Sequence, residues 1–268
     1  MAILSMYRTV RVAFKNNSRS VPGKKFMMLH LDLLETLLVF IVVGAAACVQ
    51  GSVGFGLAMI AAPILLLIDK RFVPGPLVLN VLFLAALITY RERRSLKIVQ
   101  IPWVTMGSVL GSILAVAALC AVNERGFSVM FGSLVLIAVV LSISGWHISL
   151  NKKNAVLAGL TSGFMGTTSS IGGPPLAILY QHQRASRTRA DLSALIFLSS
   201  LFTLAALAFV GRLGALELKL SILLLPGLIV GFAISAVTSQ LLAQRRIRPA
   251  ILTISATSGV VILIRALA

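Results

Sequence analysis

Long apolar runs alternate with short, mostly basic stretches along this chain. Ten apolar segments stand out, at about 33–50, 54–68, 73–90, 101–122, 127–147, 155–167, 171–181, 191–210, 219–242 and 249–267. A helix needs about 20 apolar residues to cross roughly 30 Å of hydrocarbon. Most of the segments are long enough. Those at 54–68, 155–167 and 171–181 are short, and Gly and Pro interrupt the sequence beside them. The pattern predicts an all-α polytopic membrane protein.

Composition agrees. The chain is 58% hydrophobic and 12% charged, against about 25% charged in soluble domains. That is too little charge to cover a soluble surface. Net charge is +17, which in a soluble protein would suggest nucleic acid. Here the basic residues lie between apolar runs and read as cytoplasmic loop charges, so no nucleic-acid partner is expected. Cys48 and Cys120 lie singly in apolar runs and form neither a disulfide framework nor a metal site. Residues 1–29 form a separate N-terminal stretch, basic through residue 26, where six Lys and Arg meet no acid. It reads as a cytoplasmic tail, a product of start-site choice ahead of Met27-Met28, or a transit peptide.

One string fits neither a soluble nor a membrane helix: "GTTSSIGGPP" at 166–175. Sliding the chain by 112 residues places "QGSVGFGLAMIAAP" on "SGFMGTTSSIGGPP", with Gly51 on Gly163, Gly54 on Gly166 and Pro63 on Pro175. Further on, "GSVLG" from Gly107 meets "GLIVG" from Gly227 at a shift of 120. This predicts two five-segment repeats, 30–148 and 149–268. The basic loops at 91–97, 152–153, 184–189 and 245–248 belong inside. Segments 6 and 7 then make no net crossing, as a broken or re-entrant pair. With segments 1 and 2 treated alike, each repeat crosses three times and the two are inverted, as in many secondary transporters; that places the N-terminal tail outside, whereas a full crossing by the longer segment 1 places it inside.

Unpaired backbone groups are not tolerated in lipid, so the two breaks face protein or a water-filled cavity. Pro174 and Pro175 suit the first turn of a new helix near Gly173. A helix start offers free N–H groups and partial positive charge, which favour an anion. The candidate substrate-binding residues are Gly51, Ser52, Gly54 and Gly56 in the first break. In the second they are Gly166, Thr167, Thr168, Ser169, Ser170, Gly172 and Gly173.

These paired motifs, "GSVGFGLAMIAAPILLL" and "GFMGTTSSIGGPPLAILY", resemble the TauE/SafE family of sulfite exporters over about residues 30–268. The first motif lacks the triple-glycine run common in that family. The resemblance implies a multi-pass cytoplasmic-membrane (inner-membrane) transporter for a small sulfur-containing anion, sulfite or an organic sulfonate. An anion channel, a non-transport membrane protein and an integral-membrane enzyme are the alternatives.

No acid sits at a segment centre, where proton relays usually show one. Glu35 is the deepest of the seven. His30, His147 and His182 are scattered without ligand spacing. No nucleophile–base pair is evident, so neither an enzyme nor a cofactor is expected. The partners are the anionic solute and the bilayer, with the oligomeric state unspecified.

Overall fold

A computed structural model describes residues 32–97, 100–144, 148–181, 183–242 and 248–267. Residues 1–31, all three histidines, and Arg245 and Arg246 lie outside the described residues. Contacts divide the chain into two units, Met1–Leu37 and Leu38–Ala268. Of the first unit, the described part is the start of one helix, where the Asp32 N–H meets Glu35 Oε2 at 3.3 Å.

Among the described residues every long element is an α-helix. In chain order these are α1 Leu33–Val53, α2 Leu57–Ile68, α3 Gly75–Arg91, α4 Ile101–Ala121 and α5 Glu124–Ile143. Then come α6 Lys152–Ser169, α7 Gly173–Tyr180, α8 Ala185–Phe209, α9 Ala215–Leu242 and α10 Arg248–Leu267. The ten apolar segments of the sequence map onto these ten helices. Local chemistry sets several boundaries. Asn123 accepts the Gly126 N–H at 2.8 Å and starts α5. Asn151 accepts the Asn154 N–H at 2.8 Å and starts α6, which is why α6 begins before its apolar run. Each side chain takes up an N–H that has no partner within the helix.

The faces are sorted as a bilayer requires. Leu110, Ile113, Leu114, Ile137, Val140, Ile229 and Val230 are exposed, whereas Asn80, Ser108, Ser112, Thr167 and Thr203 are buried. Among the described residues five helices are long and apolar enough to span: α1, α4, α5, α8 and Ala215–Thr238 within α9. α7, with 8 residues, extends about 12 Å and cannot.

Two glycine seams hold the bundle. In the first, a methyl group on Gly107 of α4 would strike Val156 O of α6, and one on Gly111 would strike Leu160 O. In the second, a methyl on Gly227 of α9 would strike Phe40 O of α1, and one on Gly231 would strike Gly44 O. These contacts are counterparts. Phe40 and Gly44 precede Val156 and Leu160 by 116 residues (156 − 40 and 160 − 44). Gly107 and Gly111 precede Gly227 and Gly231 by 120 (227 − 107 and 231 − 111). Other pairings match in the same way. α2 packs on α10 as α7 packs on α5, and α3 on α9 as α8 on α4.

Loops gather at two ends. At one, Lys70 Nζ meets Glu124 Oε2 at 3.4 Å, Arg212 donates to Leu119 O at 3.4 Å, and Arg125 donates to Leu267 O at 2.5 Å. At the other, Arg189 meets Glu92 at 3.2 Å, the Lys97 N–H donates to Asp191 at 2.9 Å, and Lys152 lies 5.2 Å from the Trp103 ring. The second end carries Arg91, Arg93, Arg94, Lys97, Lys152, Lys153, Arg184, Arg187 and Arg189, against Glu92 and Asp191.

Candidate functional site

Both helix breaks contain left-handed backbone. α1 stops at Val53, Gly54 and Gly56 take φ of 101° and 132°, and α2 starts at Leu57. α6 stops at Ser169, Ser170 takes φ of 66°, and α7 starts at Gly173. Left-handed backbone reverses the chain within three residues, and glycine adopts it without a Cβ penalty. The helix ends Val53 and Ser169, the helix starts Leu57 and Gly173, and the left-handed Gly54 and Ser170 are each 116 residues apart rather than 112. The 112 shift paired Pro63 with Pro175. Pro63 in fact lies inside α2, while Pro174 and Pro175 occupy the first turn of α7.

Each break is pinned by the long helix across from it. Gly54 abuts the Arg189 backbone at the start of α8, where a Cβ would lie 2.9 Å from Arg189 Cα. Ser170 Oγ donates to Pro74 O at 3.2 Å, just before α3. The breaks also touch each other: a Cβ on Gly173 would lie 2.9 Å from Phe55 Cβ.

Between them is a cavity of about 30 Å³, room for about two waters. Its wall takes Gln50, Phe55, Gly56, Ala58 and Met59 from the first break and helix start, and Ser170, Ile171, Gly172, Gly173 and Pro174 from the second. Ser162 and Gly166 of α6, Val78 and Val81 of α3, and Ile196, Ser199, Ser200 and Thr203 of α8 complete it. No charged side chain lines it. Most of the hydroxyls are already engaged. Ser162 donates to Gly172 O at 2.7 Å, Ser199 bonds Ser108 at 2.9 Å, and Thr203 bonds Thr167 at 3.1 Å. The start of α2 supplies N–H groups at Leu57, Ala58 and Met59, and Gln50 Oε1 accepts that of Leu57 at 2.9 Å. The start of α7 is poorer, because Pro174 and Pro175 have no N–H.

A family model described as sulfite exporter TauE/SafE matches residues 38–262. The chain belongs to the TauE/SafE family. No curated protein and no solved structure matches it. TauE/SafE proteins are membrane transporters, not enzymes, and the exposed apolar helices here are those of a multi-pass membrane protein.

In this TauE/SafE chain, five of the eleven residues singled out in the sequence line the cavity: Gly56, Gly166, Ser170, Gly172 and Gly173. Gly51 sits in the α1–α9 seam against Ser235, and Gly54 against Arg189. Ser52 donates to Cys48 O at 2.8 Å. Thr168 and Ser169 donate back to Phe164 O at 2.7 Å and Met165 O at 2.8 Å. Thr167 bonds Ser112 and Thr203, both at 3.1 Å. Hydroxyls in a helix's last turns meet their own carbonyls more readily than a ligand beyond the helix end. Gln50 and the α8 wall stand outside the residues that the sequence pattern marks. A lone amide before a glycine break and the i, i+4 spacing of Ser199 and Thr203 were their only signals.

The deepest acid is also different. Glu35 is exposed, whereas Asp191 has 0% exposure. α8 begins at Ala185, six residues before its apolar run, so Asp191 falls inside the helix. It accepts the Lys97 N–H and pairs with Arg187 at 3.5 Å. Nearby, Arg91 donates to Gly51 O and to Ser235 Oγ, tying the first break to the basic end.

Proposed function

We propose that this chain is a secondary-type transporter that moves a small anion, sulfite or an organic sulfonate, across the cytoplasmic membrane through the cavity between its two broken helices. The observation that carries this reading is convergence: both helix starts, α2 and α7, meet at one cavity walled without charge. An anion is held there by N–H and O–H donors and two helix dipoles, without a fixed countercharge that would hinder its release.

In this reading residues 30–148 and 149–268 are inverted repeats, and residues 1–29 are a basic tail. The exchanged seams support it, since α1 packs on α9 as α6 packs on α4. A two-fold axis in the membrane plane produces such an exchange, and puts the substrate site near the midplane. The basic end faces the cytoplasm. Membership of the TauE/SafE family supports a small sulfur oxyanion as cargo.

The test is sulfite flux in proteoliposomes. A Cβ on Gly172 would already lie 3.0 Å from Ser162 O and Oγ, so Gly172→Leu fills the cavity and is expected to abolish flux. Thr168→Val with Ser169→Ala removes hydroxyls that bond their own helix, and is expected to leave flux near wild type. A folded Gly172→Leu protein with wild-type flux would sink the reading.

A further inference from the structure

Gln50 stands in the last turn of α1 with 2% exposure, against the cavity. Its Oε1 accepts the Leu57 N–H at 2.9 Å. That bond fixes the amide orientation, because only the oxygen can accept. The nitrogen, with two hydrogens, is therefore the other end. Nε2 is buried and has no hydrogen-bond partner among the described residues. Buried polar groups in folded proteins are almost always paired, so an unpaired one calls for an explanation. Gln50 is part of the cavity wall, so an acceptor held in the cavity is a partner within its reach.

We infer that Gln50 is the specificity-determining donor of this site: Oε1 caps α2, and Nε2 donates to an oxygen of an acceptor-only oxyanion held at the α2 start. The inference rests on the proposed anion site and assigns its recognition chiefly to the first break. Two features of the wall point the same way. α2 keeps N–H groups at Ala58 and Met59, whereas the first turn of α7 contains Pro174 and Pro175. Of the four consecutive hydroxyl residues at 167–170, only Ser170 reaches the cavity, and its hydroxyl donates to Pro74 O. The wall holds no carboxylate, so it offers no countercharge to a cation such as an ammonium group. The ligand class is a small oxyanion with free acceptor oxygens, as in sulfite or the SO₃⁻ end of a sulfonate.

Gln50→Glu separates the two ends of the side chain. A carboxylate still accepts the Leu57 N–H at a helix start, where negative charge is favoured. It has no hydrogens to donate and repels an anion. The experiment measures flux of sulfite and of methanesulfonate at pH 8 in proteoliposomes, together with thermal unfolding with and without sulfite. Gln50→Glu is expected to unfold at the wild-type temperature, to lose the sulfite-induced rise, and to transport both probes about tenfold more slowly or worse. Gln50→Met, which loses the cap as well, is expected to unfold earlier and to be as slow. A folded Gln50→Glu or Gln50→Met protein with wild-type flux overturns the inference. If Gly172→Leu is inactive while Gln50→Glu is active, the role of Gln50 fails and the anion site stands. If both are active, the site itself fails. A wild-type measurement covers variants that do not fold: the Gln50 side-chain ¹⁵N resonance is expected to shift on adding sulfite, and an unmoved resonance overturns the proposal.

Discussion

Asp69 closes α2 by folding back on the turn that follows. It accepts the Arg71 N–H at 2.8 Å and the Arg71 guanidinium through Nε, at 3.0 Å to Oδ1 and 2.8 Å to Oδ2. Burial raises its pKa, but the Arg71 hydrogen bonds and charge outweigh that and hold it below the ordinary value of 3.8. A carboxyl with a lowered folded-state pKa contributes stability above its unfolded value, and loses it as pH falls through the folded one. The unfolding-temperature gap between wild type and Asp69→Asn is therefore expected to be constant from pH 7 to about 5 and to close below about 4. A pH series on both proteins checks this, and a gap that widens in acid would contradict it. The same scale shows what the sequence conveyed. Gly172, Gly173 and Ser170 were legible because glycines and a hydroxyl beside two prolines can only mark a break. Thr168 and Ser169 were misleading, because sequence shows that a hydroxyl is present but not which carbonyl it has found. Gln50 was the reverse case. Its value lies in a bond to a residue seven positions away, across a reversal that no periodicity reports.

At the scale of elements, the glycine seams carry the packing. A methyl on Gly111 would meet Leu160 O and Phe164 N, and one on Gly231 would meet Gly44 O and Ala47 Cβ. Gly111→Ala and Gly231→Ala are therefore each expected to destabilise by about 1–3 kcal/mol, through overpacking against backbone. If the two halves are the proposed repeats, the two costs should be similar, because the sites are then counterparts. Gly166→Ala is the control, since its nearest neighbour would be Thr203 Oγ1 at an ordinary 3.6 Å. It should fall within about 0.5 kcal/mol of wild type. SDS titration of the three proteins measures all of this, and a Gly111→Ala protein as stable as Gly166→Ala would refute the seam. Helix number and order were legible, because long apolar runs leave little choice. The start of α7 at Gly173 was legible for the same reason as its break. The repeat shift was not. Glycines in the seams and glycines in the breaks look alike in sequence, and the 112 shift matched Gly54, in a break, to Gly166, inside α6.

For the whole molecule, the charge asymmetry makes the strongest claim. Loops near 123 and near 185 lie at opposite ends, as their partners Lys70 and Lys97 show. With Cys48 and Cys120 replaced by alanine, single cysteines near 123 and near 185 are expected to label from opposite faces of the membrane. Labelling of both from one side would refute the topology. This much could be read from the loops alone. The cavity wall could not, because it unites α3 and α8 with two breaks more than a hundred residues apart.

The seams also constrain how such a molecule can move. Where two helix backbones rest against each other with no side chain between, there is no layer left to shear. α1 with α9, and α4 with α6, must each travel as a single beam. Bending is then left to the joints at Gly54, Gly56 and Ser170, where the beams end and the short arms α2 and α7 begin. In the transporter proposed above, the cycle is expected to tilt two stiff levers about these glycine and serine pivots. The cavity lies at these pivots, so any turn of a joint changes its wall directly.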